Sequence, residues 1–534
     1  MLPELAATHL SDTNQREKER DLSVFFDDNR SGADHGRRSL RSGAVSIVAR
    51  SVNAVIQIGS VLCLARLLSP EDYGLVGMVA AITGFAPVLV DLGSRDAIAQ
   101  RDSITEGEVS ALFWLTQLVG LGFALAVACS GPWIARFYGE PRLTLIAIVS
   151  AATFITSALT AAHYALLRRA MMFRELGLIE VAANLIGAAL AIGIAVAGFH
   201  YWALVLRPIA ATFFLAAGVW MKCRWFPRKP AVTSGVKSMV RFGLNVTGFT
   251  MTDFVSKSSD RIAIGYRIGA AGLGFYQNAF FVYDNLIDIV IAPLHGVAVS
   301  ALSKLRNDLD ELRRSWAKAL STLAFFSMPA FGLLAVVSRD LIVLLMGAKW
   351  SKSGLLLSLL ALRGIPHTVE RTAGWLHVTA GRTDRWMRWG VFQACAQLVA
   401  LYFGLKWGPT GVVTAFVLTM FALFVPAIAY AGRPLDLGGR DMLKAVWRQM
   451  LGALLSVAIG FGLRLTILVE MTAIPRTAIL TLAYVASYLL IVVGVMGVRT
   501  PIETALSLCG GFLPPRITGL IRAGFLDAKN YEHV

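Results

Sequence analysis

The sequence is poor in charge. Only 16% of its 534 residues are Asp, Glu, Lys or Arg, whereas 56% are hydrophobic, and the mean hydropathy is +0.62. A soluble chain of this length needs several domains, each with a far more charged surface. The composition therefore excludes an ordinary soluble protein and predicts one that lies in a membrane.

Cysteine and the usual catalytic motifs are also scarce. The 5 cysteines stand far apart and show neither the spacing of a disulfide framework nor that of a structural zinc site. The sequence has no G-x-x-x-x-G-K-[ST] loop for ATP phosphates, no H-E-x-x-H zinc motif and no G-x-S-x-G nucleophile motif. We therefore predict no cofactor, no bound metal and no enzymatic activity.

In place of these features the chain has repeated apolar runs, each of about 20 residues, enough to cross a hydrocarbon core roughly 30 Å thick. Because lipid offers no hydrogen bonds to the backbone, such runs must be helices. The sequence therefore predicts an all-α polytopic membrane protein. We expect fourteen spans, numbered in chain order, near 43–64, 73–92, 109–130, 143–166, 176–197, 201–221, 240–258, 273–295, 316–337, 354–379, 386–405, 408–431, 446–465 and 476–498.

The basic residues of the chain, whose net charge is +16, are distributed unevenly between the connections. Even-numbered connections hold about twice as many Lys and Arg as odd-numbered ones, which by the positive-inside rule makes the even set and both termini cytoplasmic. Anionic membrane lipids are then the partners of this charge, and no nucleic-acid partner is expected. The polar start of the chain lacks the pattern of a signal peptide and is interpreted as a tail.

The two halves of the chain echo one another. The stretch LARLLSPEDYGLVGMV (64–79) has a counterpart in IGYRIGAAGLGFYQNA (264–279), and two weaker echoes follow at offsets of roughly 200 to 210 residues. After six spans the chain has returned to the side of the membrane on which it began. The two halves therefore have the same orientation, and the repeat is parallel. We predict two six-helix bundles in parallel repeat around a central cavity, plus two extra helices. The domains are a disordered N-terminal tail (1–42), the first bundle (43–222), a basic linker (223–239), the second bundle (240–432), helices 13–14 (433–498) and a C-terminal tail (499–534).

Polar residues inside the stretch 64–79 predict a tight turn at the start of span 2. Ser69 is a favourable N-cap residue, Pro70 suits the first helical position, and Glu71 and Asp72 complement the positive end of the helix. Ser69 and Asp72 also have the spacing of a capping box.

Several predicted spans carry polar residues along one face. A charge at the centre of a bilayer costs about 2.5–3.5 kcal/mol on insertion scales, so these stripes predict a hydrated interior. His163 stands alone on an apolar helix and is interpreted as a packed histidine. The stripes are Arg50, Asn53 and Gln57 in span 1, Asn245, Thr252 and Asp260 in and after span 7, Asp284 and Asp288 in span 8, and Arg363, His367, Glu370 and His377 in span 10, while span 6 carries Arg207.

The segment ARLLSPEDYGLVGMV, followed by DLGSRDAIAQRDSITEGEVSALFWL, resembles the bacterial polysaccharide transporters, the Wzx-type flippases of lipid-linked oligosaccharides. The resemblance continues in the same order through SDRIAIGYRIGAAGLGFY, ALSKLRNDLDELRRSW and LMGAKW, and it covers roughly residues 43 to 445. The larger superfamily includes multidrug extruders and lipid II flippases.

This resemblance implies a transporter that moves polyprenyl-diphosphate-linked oligosaccharide units across the bacterial inner membrane by alternating access, coupled to a proton or sodium gradient. Polymerase and chain-length-control proteins are implied as partners. In the predicted cavity Arg50, with Arg207 and Arg261 behind it, would contact the diphosphate. The glycan path would be lined by Asn53, Gln57, Asn245 and Thr252, and the cation-coupling candidates are Asp260, Asp284 and Asp288.

Two other functions stay open at this point. One is a multidrug or cation antiporter of the same superfamily, which would export amphipathic cations. The other is a membrane polysaccharide polymerase or glycosyltransferase. Outer connections no longer than about 20 residues argue against the second, because they offer little room for a catalytic domain.

Overall fold

A computed structural model describes residues 35–85, 90, 98, 104–230, 236, 240, 254, 258–306 and 308–501. The regular elements in these ranges are helices. Two of the predicted site residues, Asn245 and Thr252, lie outside the described residues. The helices are α1 His35–Leu67, α2 Pro70–Thr83, α3 Glu106–Tyr138, α4 Arg142–Ser150, α5 Ala152–Arg169, α6 Phe173–Val196, α7 Trp202–Cys223, α8 Ala270–Lys304, α9 Leu309–Met346, α10 Ser351–Glu370, α11 Ala373–Thr379, α12 Thr383–Gly404, α13 Gly408–Gly432, α14 Gly439–Thr466 and α15 Ala473–Leu489.

The helices confirm the prediction of an all-α multi-pass membrane protein. Within the described ranges, 9 stretches are long and apolar enough to cross a membrane, the first being Ser46–Leu67 and the last Ala473–Val495. One of them, Asp384–Leu435, is 52 residues long and contains both α12 and α13. Spans 2, 7, 8 and 10 fall outside these stretches, although most of their described residues are helical. The total of fourteen stays a prediction.

The predicted turn before α2 is confirmed in detail. The Ser69 hydroxyl accepts a hydrogen bond from the Asp72 backbone N–H (3.2 Å), and the Asp72 carboxylate accepts one from the Ser69 backbone N–H (2.8 Å). Pro70 occupies the first helical position. The same reciprocal box begins α3, where Thr105 pairs with Glu108. These caps satisfy backbone N–H groups that the first turn of a helix leaves without partners.

The chain separates into two compact units, Met1–Gln277 and Asn278–Val534. Within the first unit, α2 and the first turns of α8 approach so closely that glycine is required. A Cβ on Gly74 would overlap the carbonyl of Ala270, and one on Gly274 would overlap the carbonyl of Pro70. Small residues allow this kind of backbone approach between membrane helices. The predicted domain boundaries stay predictions.

Ion pairs between different connections follow the predicted alternation of the spans. Connections of equal parity lie on the same side of a membrane, so their charged residues are able to meet. In the part of the chain that the structure describes, such pairs join connections 1 and 3, 2 and 6, and 8 and 12, and they join connection 9 to the span ends that flank connection 13. They are Glu71–Arg142 (2.7 Å), Glu106–Arg228 (3.2 Å), Arg313–Asp436 (3.1 Å), and Asp340 with Arg464 (3.2 Å) and Arg476 (2.5 Å).

Candidate functional site

In the first unit, the polar face of α1 meets α6. The amide nitrogen of Asn184 donates a hydrogen bond to the Asn53 Oδ1 atom (3.1 Å). Arg50 and Gln57, one turn to either side of Asn53, are exposed and lie on the same face of the helix. The structure thus keeps the three predicted residues of α1 together and adds Asn184 to them.

Further polar contacts join α5 to its neighbours. The Tyr164 hydroxyl donates to the Glu180 carboxylate of α6 (2.8 Å), and the hydroxyls of Thr156 and Thr212 on α7 lie 2.7 Å apart. Arg207, also on α7, is half-buried, and no ion pair joins it to Glu180 or to any other described residue. A cation without a carboxylate beside it is available to an anionic ligand.

Asp260 is buried within the first unit, at 9% exposure. Its carboxylate accepts hydrogen bonds from the Tyr276 hydroxyl and from the backbone N–H of Arg261, the latter at 2.7 Å. The Arg261 side chain is half-buried, and its Nε–H has no acceptor in the described chain. Asp260 is therefore held by its neighbours in this state, whereas Arg261 retains an unused donor.

In the second unit, the two aspartates of α8 point away from the packed interior. Asp284 and Asp288 are both exposed, whereas Tyr283, beside them in the sequence, is fully buried. The Tyr283 hydroxyl lies 2.7 Å from the Nδ1 atom of His367 on α10, and the two rings are nearly parallel. The prediction named the aspartates and missed the tyrosine, because an aromatic residue in an apolar run carries no signal of its own.

Arg363 lies one turn before His367 and is 9% exposed. Its guanidinium carbon is 5.9 Å from the ring centroids of both Tyr283 and Phe416, a cation–π arrangement. No hydrogen bond or ion pair to Arg363 is found among the described residues, and its Nε–H is enclosed without an acceptor. Burying a charge without a paired partner is costly, so this arginine is a candidate ligand for an anion.

The predicted stripe of span 10 divides into two parts. Helix α10 ends at Glu370, and α11 begins again at Ala373. His377 therefore belongs to a separate short helix, where its ring stacks over Trp386 at 6.3 Å. Interrupted membrane helices are typical of the binding regions of transporters.

His163 is a packed residue, as the sequence analysis predicted. It is fully buried, its Nε2 atom lies 3.0 Å from the carbonyl oxygen of Trp225, and its ring stacks on Trp220 at 4.0 Å.

A buried ion cluster at the ends of α9, α14 and α15 was not predicted. Asp340 is 3% exposed and accepts hydrogen bonds from the Arg476 guanidinium at 2.5 and 3.2 Å. Arg464 lies 3.2 Å from the same carboxylate and donates to the Val336 carbonyl at 2.8 Å. The three charged residues lie near the ends of predicted spans, where charge is ordinary, so the sequence gave no reason to single them out.

The helices define the class of protein, a multi-pass α-helical membrane protein with polar side chains between some of its helices. The sequence matches the family described as "Polysaccharide biosynthesis protein" over residues 63–354, more than half of the chain, and the protein belongs to that family. This confirms the family resemblance noted in the sequence.

Curated relatives cover most of the chain. Over 414 residues it is 24% identical to the lipopolysaccharide biosynthesis protein WzxC of Escherichia coli (strain K12), covering 75% of this chain and 82% of the relative. Over 420 residues it is 24% identical to the succinoglycan biosynthesis transport protein ExoT of Rhizobium meliloti (strain 1021), covering 77% and 83%.

Two solved structures share the fold. The lipid II flippase MurJ in an inward closed conformation aligns with a TM-score of 0.61 at 15% identity, over 84% of this chain and 98% of MurJ. An inward-facing multidrug resistance transporter of the MATE family aligns with a TM-score of 0.54 at 15% identity, over 73% and 98%.

Proposed function

We propose that this protein is a flippase that moves polyprenyl-diphosphate-linked oligosaccharide units, the precursors of a lipopolysaccharide or exopolysaccharide, across the membrane by alternating access. The observation that carries the proposal is the family membership. The relatives named for lipopolysaccharide and succinoglycan production, the second of them a transport protein, support this cargo class. The fold shared with a lipid II flippase is consistent with it.

The chemistry of the cargo assigns roles to the polar residues. Diphosphate oxygens favour the bidentate, charge-assisted hydrogen bonds of arginine. We assign Arg50, Arg207 and Arg261 of the first unit to the diphosphate. In the second unit, Arg363 is a separate candidate for an anionic group, because it is buried without a partner in the described chain. Sugar hydroxyls would exchange hydrogen bonds with Asn53, Gln57, Asn245 and Thr252, much as Asn53 already does with Asn184.

A cation gradient would drive the cycle through a carboxylate whose protonation or ion binding differs between states. The candidates are Asp260, Asp284 and Asp288. Asp260 is bonded to Tyr276, so its release would accompany a rearrangement, whereas the two aspartates of α8 are exposed. Replacing Asp284 and Asp288 together by Asn should make export insensitive to collapse of the proton or sodium gradient. If export by this variant depended on the gradient as that of the wild type does, Asp284 and Asp288 would not be the coupling residues.

The membrane in question is the bacterial inner membrane, with both termini in the cytoplasm. The distribution of Lys and Arg supports this orientation, and the ion pairs between connections of equal parity are consistent with it. Polymerase and chain-length-control proteins of the same pathway would receive the translocated units.

Deletion of the gene tests the proposal. We expect polyprenyl-diphosphate oligosaccharides to accumulate in membranes, detected by mass spectrometry, and the surface polysaccharide to be lost. Wild-type protein should restore export, whereas Arg50→Ala and Arg363→Gln should reduce it at least tenfold, a loss of roughly 1.4 kcal/mol or more. Arg228→Gln is the matched control, because that arginine is 72% exposed and its ion pair in the described chain is with Glu106.

Unchanged lipid intermediates together with lost resistance to amphipathic cations would instead favour the antiporter. New glycan synthesis by the purified chain would favour the polymerase or glycosyltransferase.

A further inference from the structure

His377 is a buried histidine whose hydrogen-bonding capacity is unused. It is 1% exposed, and neither ring nitrogen has a partner in the described chain. Its ring stacks on Trp386 and lies 6.1 Å from the ring of Tyr430 on α13. The great majority of buried polar side-chain atoms in proteins have at least one partner, so an imidazole with none requires an explanation.

Two more unused donors lie around the same tyrosine ring. The guanidinium carbon of Arg385 is 4.2 Å from the Tyr430 centroid, and one terminal nitrogen donates to the Tyr430 carbonyl at 2.7 Å. Among the described residues, the Arg385 Nε–H has no acceptor. The Trp389 ring stacks at 5.6 Å from Tyr430, and its indole N–H is also without one. Thr379, two residues after His377, adds a buried hydroxyl with no partner in the part of the chain that the structure describes. Helices α11 and α12 thus bring the unused donors of His377, Arg385 and Trp389 around the Tyr430 ring of α13.

The chemistry of this cluster selects its ligand. Arg and Trp side chains only donate hydrogen bonds, and His and Thr are able to donate as well, so a group that carries several acceptors fits the set. Phosphate oxygens meet this requirement, and an arginine strengthens each contact by its charge. Arg382 and Arg388 add exposed positive charge beside the cluster, with Asp384 between them.

The position of the cluster favours a lipid rather than a soluble ligand. It lies at the start of α12 and the end of α13, which are the ends adjoining even-numbered connections. Trp386 is 43% exposed, and tryptophan and arginine together are typical of the depth at which phospholipid headgroups lie. On the predicted topology this is the cytoplasmic end of the spans.

We propose that His377, Arg385 and Trp389, arranged around Tyr430, form a binding site for the phosphate group of a membrane lipid. Two sources have this chemistry. One is the diphosphate of the polyprenyl-linked cargo before translocation, a reading that rests on the proposed function. The other is the headgroup of an anionic phospholipid, which does not depend on it.

Binding to the purified full-length protein tests the proposal. Native mass spectrometry would compare undecaprenyl diphosphate with undecaprenol, and phosphatidylglycerol with diacylglycerol, so that each phosphate-bearing lipid has a neutral counterpart. We expect at least one phosphate-bearing lipid to bind well above its counterpart. His377→Phe and Trp389→Phe keep the ring packing and remove the donors, and each should weaken that binding about tenfold.

Trp407→Phe is the matched control, because Trp407 is 70% exposed and stands at the opposite end of α12 and α13. Its binding should equal that of the wild type, and melting curves of all variants would exclude misfolding. A preference for the diphosphate identifies the cargo as the source, and a preference for phosphatidylglycerol identifies the bilayer.

Equal binding of phosphate-bearing and neutral lipids, or unaltered binding by both donor variants, would overturn the proposal and leave water as the partner of these groups. Because no transport is measured, the result is independent of the deletion experiment. If the protein binds phosphate-bearing lipids but deletion of its gene changes no lipid intermediate, only the proposed flippase function is refuted.

Discussion

In the second unit, Asp340 and Tyr430 each lie at the centre of a polar cluster with arginines, yet the two clusters use their hydrogen bonds differently. Around Asp340, the carboxylate is shared by Arg464 and Arg476, and Arg464 also reaches a backbone carbonyl. Around Tyr430, by contrast, His377 and two other side chains each have a buried donor without an acceptor among the described residues.

The contrast separates two uses of polar groups in a membrane helix bundle. A set of charges that satisfy one another joins helices, and here it fixes α14 and α15 to the end of α9. A set of donors with no acceptor lowers stability until a ligand arrives, which is the usual trade-off at a binding site. The Asp340 cluster should therefore matter for stability and the Tyr430 cluster for binding.

The largest effect is expected from Asp340→Ala. Removing the shared carboxylate leaves two largely buried guanidinium groups without a counter-charge, at a cost of about 3–5 kcal/mol. The midpoint of thermal unfolding in detergent, followed by the loss of monodisperse protein, should fall clearly.

Asp310→Ala is the control for this prediction, because Asp310 is 84% exposed in its pair with Arg313. Exposed pairs contribute about 0–1 kcal/mol, so that variant should melt close to the wild type. Similar melting of the two variants would show that the Asp340 cluster does not hold these helices together.

The next largest effect tests whether the Asp340 cluster contributes to stability alone or also to transport. In the variant Asp340→Leu/Arg464→Met/Arg476→Met the three charges are replaced by apolar groups, which removes their desolvation cost together with their attraction. We expect most of the stability lost in Asp340→Ala to return, and export in the deletion strain to persist. A stable triple variant that fails to export would give the cluster a role in transport, and the contrast with Tyr430 would then fail.

The sequence predicted much of this architecture from patterns that repeat over many residues. Apolar runs and the capping box at Ser69 and Asp72 each rest on local chemistry, and the structure agrees with them. The family resemblance came from a long ordered series of segments in the same way.

The polar clusters were harder to predict because they depend on which side chains meet across helices. Charge drew attention to Asp284 and Asp288, which are exposed, and away from Tyr283, which bonds His367. In the sequence, Tyr430, the aromatic residue at the centre of its cluster, looks like any other apolar position in a span. Its role is visible only when the helices that surround it are placed.

The smallest effect gives the most direct test of the contrast, because it compares two buried threonines. Thr379 has an unused hydroxyl, whereas the Thr368 hydroxyl accepts from Ser327 at 3.1 Å and donates to the Ile365 carbonyl at 3.1 Å. Thr379→Val should raise the stability of lipid-free protein by about 1 kcal/mol, since it removes an unsatisfied group. Thr368→Val should lower it by about 1–3 kcal/mol, because Ser327 then loses its partner.

In the presence of the lipid that binds best, Thr379→Val should lower the stability of the protein instead of raising it. The effect of Thr368→Val on stability should keep its sign. If its hydroxyl contacts the bound phosphate, the wild type gains more stability from the lipid than the variant does, by the linkage between binding and folding. Thermal unfolding with and without that lipid measures this difference. If the Thr379→Val variant were stabilised by the lipid as much as the wild type, Thr379 would lie outside the site, and the donors around Tyr430 would act without it.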